Sequence, residues 1–263
     1  SFTLIKNLNE LAGLYNIGLL NCSGNRMSDF QFLTKLSKLQ HLDCSETQLP
    51  EVAVFSNLLS LEDINISGTR VRSLEALNNL KKVKYLSCEN TTVVSVEPLS
   101  NLLSLEVLKI SHTMVEKITS LADLPKLMRI YWDGNDALTA EEKKAAAIGF
   151  MKNKPETLVI FESDALTTGW NELEESWKKK LREVAGLDES PTKEELHNLL
   201  KIEDIDLTNV DVTTLNPVRH LYNLQSLNIS GVQVEDYSPL EEALELKELN
   251  VSGASIKDLE VLK

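Results

Sequence analysis

From Leu14 onward, apolar residues recur at intervals of 3, 3, 2, 5, 3, 3 and 3, a cycle of 22 residues. The first unit is Leu14, Ile17, Leu20, Cys22, Met27, Phe30 and Leu33, and the second is Leu36, Leu39, Leu42, Cys44, Leu49, Val52 and Phe55. A third runs through Leu58, Leu61, Ile64, Ile66, Val71, Leu74 and Leu77. Two more start at Leu80 and Leu102 without an insertion or deletion, and one from Leu124 fails after Trp132. The cycle returns at Leu199, Ile202, Ile205, Leu207, Val212, Leu215 and Val218, then at Leu221, Leu224, Leu227, Ile229, Val234, Tyr237 and Leu240. A last unit ends in Leu249, Val251, Ile256, Leu259 and Leu262. The two-residue step predicts a short strand with one buried face, and the three-residue steps predict a return through a helical or 3₁₀ segment. No unit can bury its apolar face alone, so stability has to come from stacking on neighbours.

This is the pattern of a leucine-rich repeat, and it predicts an α/β solenoid with a parallel β-sheet on its concave face. The 22-residue period together with Val96-Glu97-Pro98-Leu99-Ser100-Asn101-Leu102 resembles the internalin-type bacterial repeat. Asn216-Pro217-Val218 and Ser238-Pro239-Leu240 match the same return segment. The resemblance covers about three quarters of the chain and implies a non-enzymatic scaffold, on the bacterial surface or secreted, that binds a protein or peptide on its concave face. Multi-block chains with inserted helices of this kind are similar to Bacteroidetes proteins. Fold and function are separable, so the repeat names no ligand. One position departs from the family, in which Asn bonds the loop backbone where the chain leaves the strand. Here it reads Asn25, Thr47, Thr69, Thr91, Thr113 and Asn135, then Val210, Val232 and Ala254. Thr can partly replace the Asn bond; Val and Ala cannot, so the second block must satisfy its loop backbone otherwise.

Residues 136–198 interrupt the array. Thr139-Ala140-Glu141-Glu142 is a capping box for a helix to about Met151, and Thr157 to Phe161 reads as a strand. Trp170, Leu173, Trp177, Leu181 and Val184 form an apolar stripe on a helix that Gly186 can end, and Thr192-Lys193-Glu194-Glu195 caps another. An open solenoid end exposes core and needs a cover. Residues 139–161 therefore read as the cap of the first block and 167–200 as the cap of the second, giving two domains, 1–163 and 164–263. Ser1, Thr3, Ile5, Leu8 and Leu11 fit the tail of a preceding repeat, and Leu262-Lys263 stops inside another, so native sequence is expected to extend both ways.

Composition narrows the chemistry. The net charge is −13, and its distribution is uneven: 13 basic and 13 acidic residues over 1–130, then 14 and 27 over 131–263. An acidic chain without a basic stripe repels phosphate backbones, which argues against nucleic acid. Nothing in the sequence resembles a membrane span, a signal peptide, a phosphate-binding glycine loop or a nucleophile elbow. Cys22, Cys44 and Cys88 fall at the inward strand position and read as buried free thiols; Cys22 and Cys44, one rung apart, are near enough to bridge but poorly aligned for a disulfide. His41, His112, His197 and His220 sit on different repeats with no metal-ligand spacing, so no metal, cofactor or catalytic residue is expected. Asp204 and Asp206, with Asp211 nearby, read as a solvated acidic edge. Of the sequons at Asn21, Asn65, Asn90, Asn228 and Asn250, four sit mid-strand on the outward face and read as by-products of the repeat.

The outward strand positions are Leu19, Asn21, Ser23; His41, Asp43, Ser45; Asp63, Asn65, Ser67; Tyr85, Ser87, Glu89; Val107, Lys109, Ser111; and Arg129, Tyr131, Asp133. Most are small and polar. Tyr85, Val107, Lys109, Arg129 and Tyr131 form a contiguous area rich in the types found at binding hot spots, and they are the candidate partner-binding patch. Two alternatives stay open: a structural subunit that packs through the acidic second block, and the repeat portion of a larger enzyme.

Overall fold

A computed structural model describes residues 8–135 and 137–254 of the chain; the last three positions of the final repeat, Ile256, Leu259 and Leu262, lie outside it, as do Ser1, Thr3 and Ile5. The chain is a leucine-rich-repeat solenoid that packs as two compact units, residues 1–161 and 162–263.

In the first unit the two-residue apolar steps become the strands β1 (Leu19–Asn21), β2 (His41–Asp43), β3 (Asp63–Asn65), β4 (Tyr85–Ser87), β5 (Val107–Lys109) and β6 (Arg129–Tyr131). They pair in parallel and in sequence order, each residue opposite the one 22 positions on, as in Leu20↔Leu42 and Leu42↔Ile64. Between strands the chain returns through 3₁₀ segments such as Gln31–Lys35, Glu75–Leu77 and Glu97–Leu99. All seven apolar positions of the third unit, Leu58 to Leu77, are 0% exposed. Burying each such side chain is worth about 1.5–3 kcal/mol, which is what the stack supplies and a lone repeat lacks.

Past each strand the chain turns through a left-handed residue: Gly24, Glu46, Gly68, Asn90, His112 and Gly134 in successive rungs. This turn carries the ladder onward, with Glu46 N–H donating to the Ser67 carbonyl at 2.8 Å and Gly68 N–H to that of Glu89 at 2.8 Å. The Glu46 carboxylate lies where a Cβ on Gly68 would be, and the His112 ring where a Cβ on Gly134 would be. Two rungs therefore place a side chain in an unfavourable backbone region, with a glycine on the next rung beneath it.

The next position closes the loop. In rungs two to five the hydroxyls of Thr47, Thr69, Thr91 and Thr113 donate to the carbonyl three residues back, at 2.6, 2.6, 2.6 and 2.7 Å. Asn25 does so with its amide, at 3.0 Å to the Cys22 carbonyl. The second unit uses backbone instead: the N–H groups of Val210, Val232 and Ala254 reach the carbonyls of Leu207, Ile229 and Val251 at 2.9, 3.0 and 3.0 Å. A tighter turn thus replaces the missing side-chain donor.

After β6 the return segment is α1 (Ala140–Asn153), opened by a capping box between Thr139 and Glu142. It leads to β7 (Leu158–Ile160), which pairs in parallel with β6 as the seventh rung and is buried throughout. The expected cap is thus a crossover helix and a further strand of the same sheet.

The second unit begins with helices. The stripe from Trp170 to Val184, expected on one helix, is divided between α2 (Ser163–Glu172) and α3 (Glu175–Ala185). Leu173 adopts extended backbone, ψ 143°. Glu174 then spends its carboxylate on the Thr213 backbone N–H and hydroxyl, at 3.0 and 2.7 Å, rather than on its own helix. The bend lets both indoles enter one core: Trp177 is 0% and Trp170 8% exposed, and the Trp177 Nε1–H donates to the Thr214 carbonyl at 2.7 Å. Val184 is 38% exposed and stands outside that core, contrary to the stripe. Gly186 ends α3 in the left-handed region, φ 65°. The short α4 (Lys193–Leu196), capped by Thr192 and Glu195, precedes β8 (Asp204–Asp206), β9 (Ser226–Asn228) and β10 (Glu248–Asn250), a parallel sheet of three rungs.

Candidate functional site

In a three-residue strand the middle side chain points inward and the flanking two outward. Leu86, Leu108 and Ile130 accordingly fill the core at 0% exposure. Their neighbours form two outward rows that cross the rungs in register: Tyr85↔Val107↔Arg129 and Ser87↔Lys109↔Tyr131. All five residues of the sequence-derived patch are on this face, Arg129 exposed and Tyr85, Val107, Lys109 and Tyr131 half-buried.

The register decides how the patch is organised. Lys109 sits opposite Tyr131 and diagonal to Tyr85, and its ammonium lies 4.8 Å from the Tyr131 ring centroid and 5.8 Å from that of Tyr85. A cation near two aromatic faces gains about 0.5–1 kcal/mol per ring at an exposed site, which holds the flexible lysine stem in one place. The charge itself stays unneutralised. Among the described residues neither the Lys109 ammonium nor the Arg129 guanidinium makes an ion pair or a side-chain hydrogen bond with a protein group. Composition and parity put these residues together; that the lysine lies between the rings depends on rotamers that a sequence does not display.

Toward rungs two and three the face changes sign. Asp43 on β2 and Asp63 on β3 project outward, Asp63 in contact with the His41 Nδ1. Asp43 accepts the Ser45 backbone N–H at 2.9 Å and its hydroxyl at 2.6 Å, an arrangement that fixes the carboxylate at the strand end. The His41–Asp63 contact joins residues 22 apart, a pairing that the repeat spacing alone signals. At the foot of the sheet Glu62 and Lys84 pair at 2.6 Å, and the hydrogen-bonded ammonium holds the Glu62 carboxyl below its ordinary range.

The other candidates stay apart. Cys22 and Cys44 have their sulfurs 3.5 Å apart and unbridged. The hydrogen bond between them lowers the Cys22 thiol, while that bond and burial raise Cys44. Cys88 has no second thiol beside it; its Sγ–H donates to the Lys109 carbonyl at 3.6 Å, and desolvation pushes its thiol up to about 12. His197 is fully buried and its Nδ1 meets the Lys193 carbonyl at 2.6 Å, while His41 and His112 belong to other rungs. Among the described residues no three His, Cys, Asp or Glu side chains converge as a metal site would require, and no helix is long and apolar enough to cross a membrane. Asp204 and Asp206 are exposed on β8, and hydrogen bonds from the Thr208 hydroxyl and backbone keep Asp206 below the ordinary carboxylate range.

No protein-family model matches this chain, and neither does any curated protein. Among solved structures it is similar to an internalin (inlF) from Listeria monocytogenes, at 18% identity over 97% of this chain and 72% of that one, TM-score 0.45. An internalin C2 from the same organism gives 17% identity over 95% and 77%, TM-score 0.48. A leucine-rich-repeat protein from Leptospira interrogans gives 15% over 98% and 49%, TM-score 0.46. At these identities the likeness is one of fold, and the assignment of the fold rests on the repeat geometry itself.

Proposed function

We propose that this chain is a non-enzymatic binding scaffold that docks a protein or peptide on the outward strand face of its first unit. Tyr85, Val107, Lys109, Arg129 and Tyr131 are the contact residues, and the repeat blocks 1–163 and 164–263 are its two modules. The observation that carries this reading is the unneutralised Lys109 ammonium held between two tyrosine rings and diagonal to Arg129. The ladder fixes the backbone, and the rings fix the lysine. Ordering a long side chain on binding costs about 0.5–1.5 kcal/mol, and here much of that cost is met before a partner arrives. Tyrosine and arginine are the types that concentrate binding energy at interfaces. The internalin-type resemblance of the repeat favours a place on the bacterial surface or in the secreted fraction.

The test is comparative capture from native and host extracts with the wild-type chain and a folded Tyr85→Ala, Lys109→Glu, Arg129→Glu, Tyr131→Ala variant. A partner held by wild type and lost by the variant is the expected result; a specific partner held equally by both refutes the patch.

A further inference from the structure

Along the two strand rows of the outward face the carboxylates and the cations are separated, and they are in register. Asp43 is aligned through Asn65 and Ser87 with Lys109. Asp63 is aligned through Tyr85 and Val107 with Arg129. Each row thus has a carboxylate at one end and a cation three rungs away at the other. Parallel strands lie about 4.8 Å apart, so the two charges of each row are separated by roughly 14 Å. Between Asp63 and Arg129 the row holds only Tyr85 and Val107, an aromatic and an apolar residue. The remaining acids of this face, Glu89 and Asp133, stand on a third line beyond the strand ends, where Glu89 accepts the Ser87 hydroxyl at 3.3 Å.

We propose that the segment this face binds is an extended peptide stretch, on a partner protein, with a basic and an acidic residue four apart and an apolar residue midway. The inference rests on the binding reading above and adds the chemistry of the partner. An extended chain advances about 3.3 Å per residue, so roughly 14 Å corresponds to four residues. Side chains of a strand alternate, so positions i, i+2 and i+4 face the same way. The basic residue then meets Asp43 and Asp63, the apolar residue lies on Tyr85 and Val107, and the acidic residue meets Lys109 and Arg129. A helix rises only about 1.5 Å per residue and would need nine or ten residues to span the same charges, so it cannot present this pattern within one turn.

Selection of random linear dodecapeptides displayed on phage tests this, with three folded forms of the full chain as bait. On wild type, opposite charges at i and i+4 with an apolar residue at i+2 should be enriched several-fold over opposite charges at other spacings. A synthetic peptide of the selected sequence should bind about fivefold more weakly when its charges are moved to adjacent positions, the size expected of exposed charge contacts. The Lys109→Glu, Arg129→Glu form should select basic residues at both ends of the same spacing. Wild-type binders without that spacing, or no binders at all, overturn the proposal. The Tyr85→Ala, Tyr131→Ala form separates the two readings. Peptides that lose binding to it but show no charge spacing keep the docking patch and discard the charge pattern; peptides that bind it unchanged remove the patch as well.

Discussion

Replacing Thr69 by Val removes one hydroxyl and nearly nothing else, because the two side chains share their branching and volume. Thr69 is 7% exposed, and its hydroxyl donates to the Ile66 carbonyl at 2.6 Å, closing the loop after β3. The backbone amide of Thr69 does not take over this role, whereas the amide of Val232, its counterpart in the second unit, reaches the Ile229 carbonyl at 3.0 Å. Thr69→Val therefore leaves a buried carbonyl without that donor, at a cost of about 1–3 kcal/mol. The added methyl recovers less than about 1 kcal/mol, so a net loss of about 1–2 kcal/mol is expected. The reciprocal change, Val232→Thr, puts a hydroxyl into a site 4% exposed whose carbonyl the backbone already serves, and should cost about 1–2 kcal/mol rather than stabilise. Urea unfolding followed by far-UV circular dichroism measures both, with the first-unit transition fitted apart from the second because two units need not unfold together. A Thr69→Val midpoint equal to wild type would refute the argument that the threonine ladder stands in for the family asparagine, and so would a Val232→Thr gain as large as the Thr69→Val loss.

Three further outcomes are expected. Glu46→Gly relieves a left-handed glutamate at φ 55° and should stabilise the first unit by about 1 kcal/mol, whereas Gly68→Ala strains the backbone and displaces the Glu46 carboxylate, costing about 1–2 kcal/mol; thermal unfolding of the pair reads both signs. Trp177→Phe removes the indole donor from the Thr214 carbonyl inside a fully buried site and should cost the second unit about 2–3 kcal/mol, checked by urea unfolding monitored through the remaining tryptophans. The Cys88 thiol titrates near 12 when folded, against 9.0 for an ordinary cysteine, so the native state holds its proton more tightly than the unfolded one; its contribution is complete below pH 9 and is lost as pH rises toward 12. Cys88→Ala should flatten that alkaline decline relative to wild type, and Cys88 should stay unreactive toward a thiol reagent at pH 8 until the chain is unfolded.

The fold was legible because a solenoid repeats one local solution. A cycle of 22 residues, read from Leu14 to Leu121, already assigns strand, return segment and inward face, with Leu14, 50% exposed, the one exposed position of the cycle, and parity alone puts Tyr85, Val107, Lys109, Arg129 and Tyr131 on one surface. Where the period breaks, the reading weakens. The stripe from Trp170 to Val184 satisfies helical spacing, yet a carboxylate of Glu174 finds Thr213, 39 positions away, and the helix divides there. The loop position of the second unit shows the same division of labour: the sequence says that Val210 and Val232 lack a donor, and only the folded turn shows the backbone amide supplying it. The candidate site follows this rule too. Sequence placed a lysine among two tyrosines, while the register of neighbouring strands set its ammonium between the rings and aligned Asp43 with Lys109 and Asp63 with Arg129. Periodicity is a property of the covalent chain and survives in one dimension; pairing between rungs depends on which side chains meet across space, and that is settled when the repeats stack.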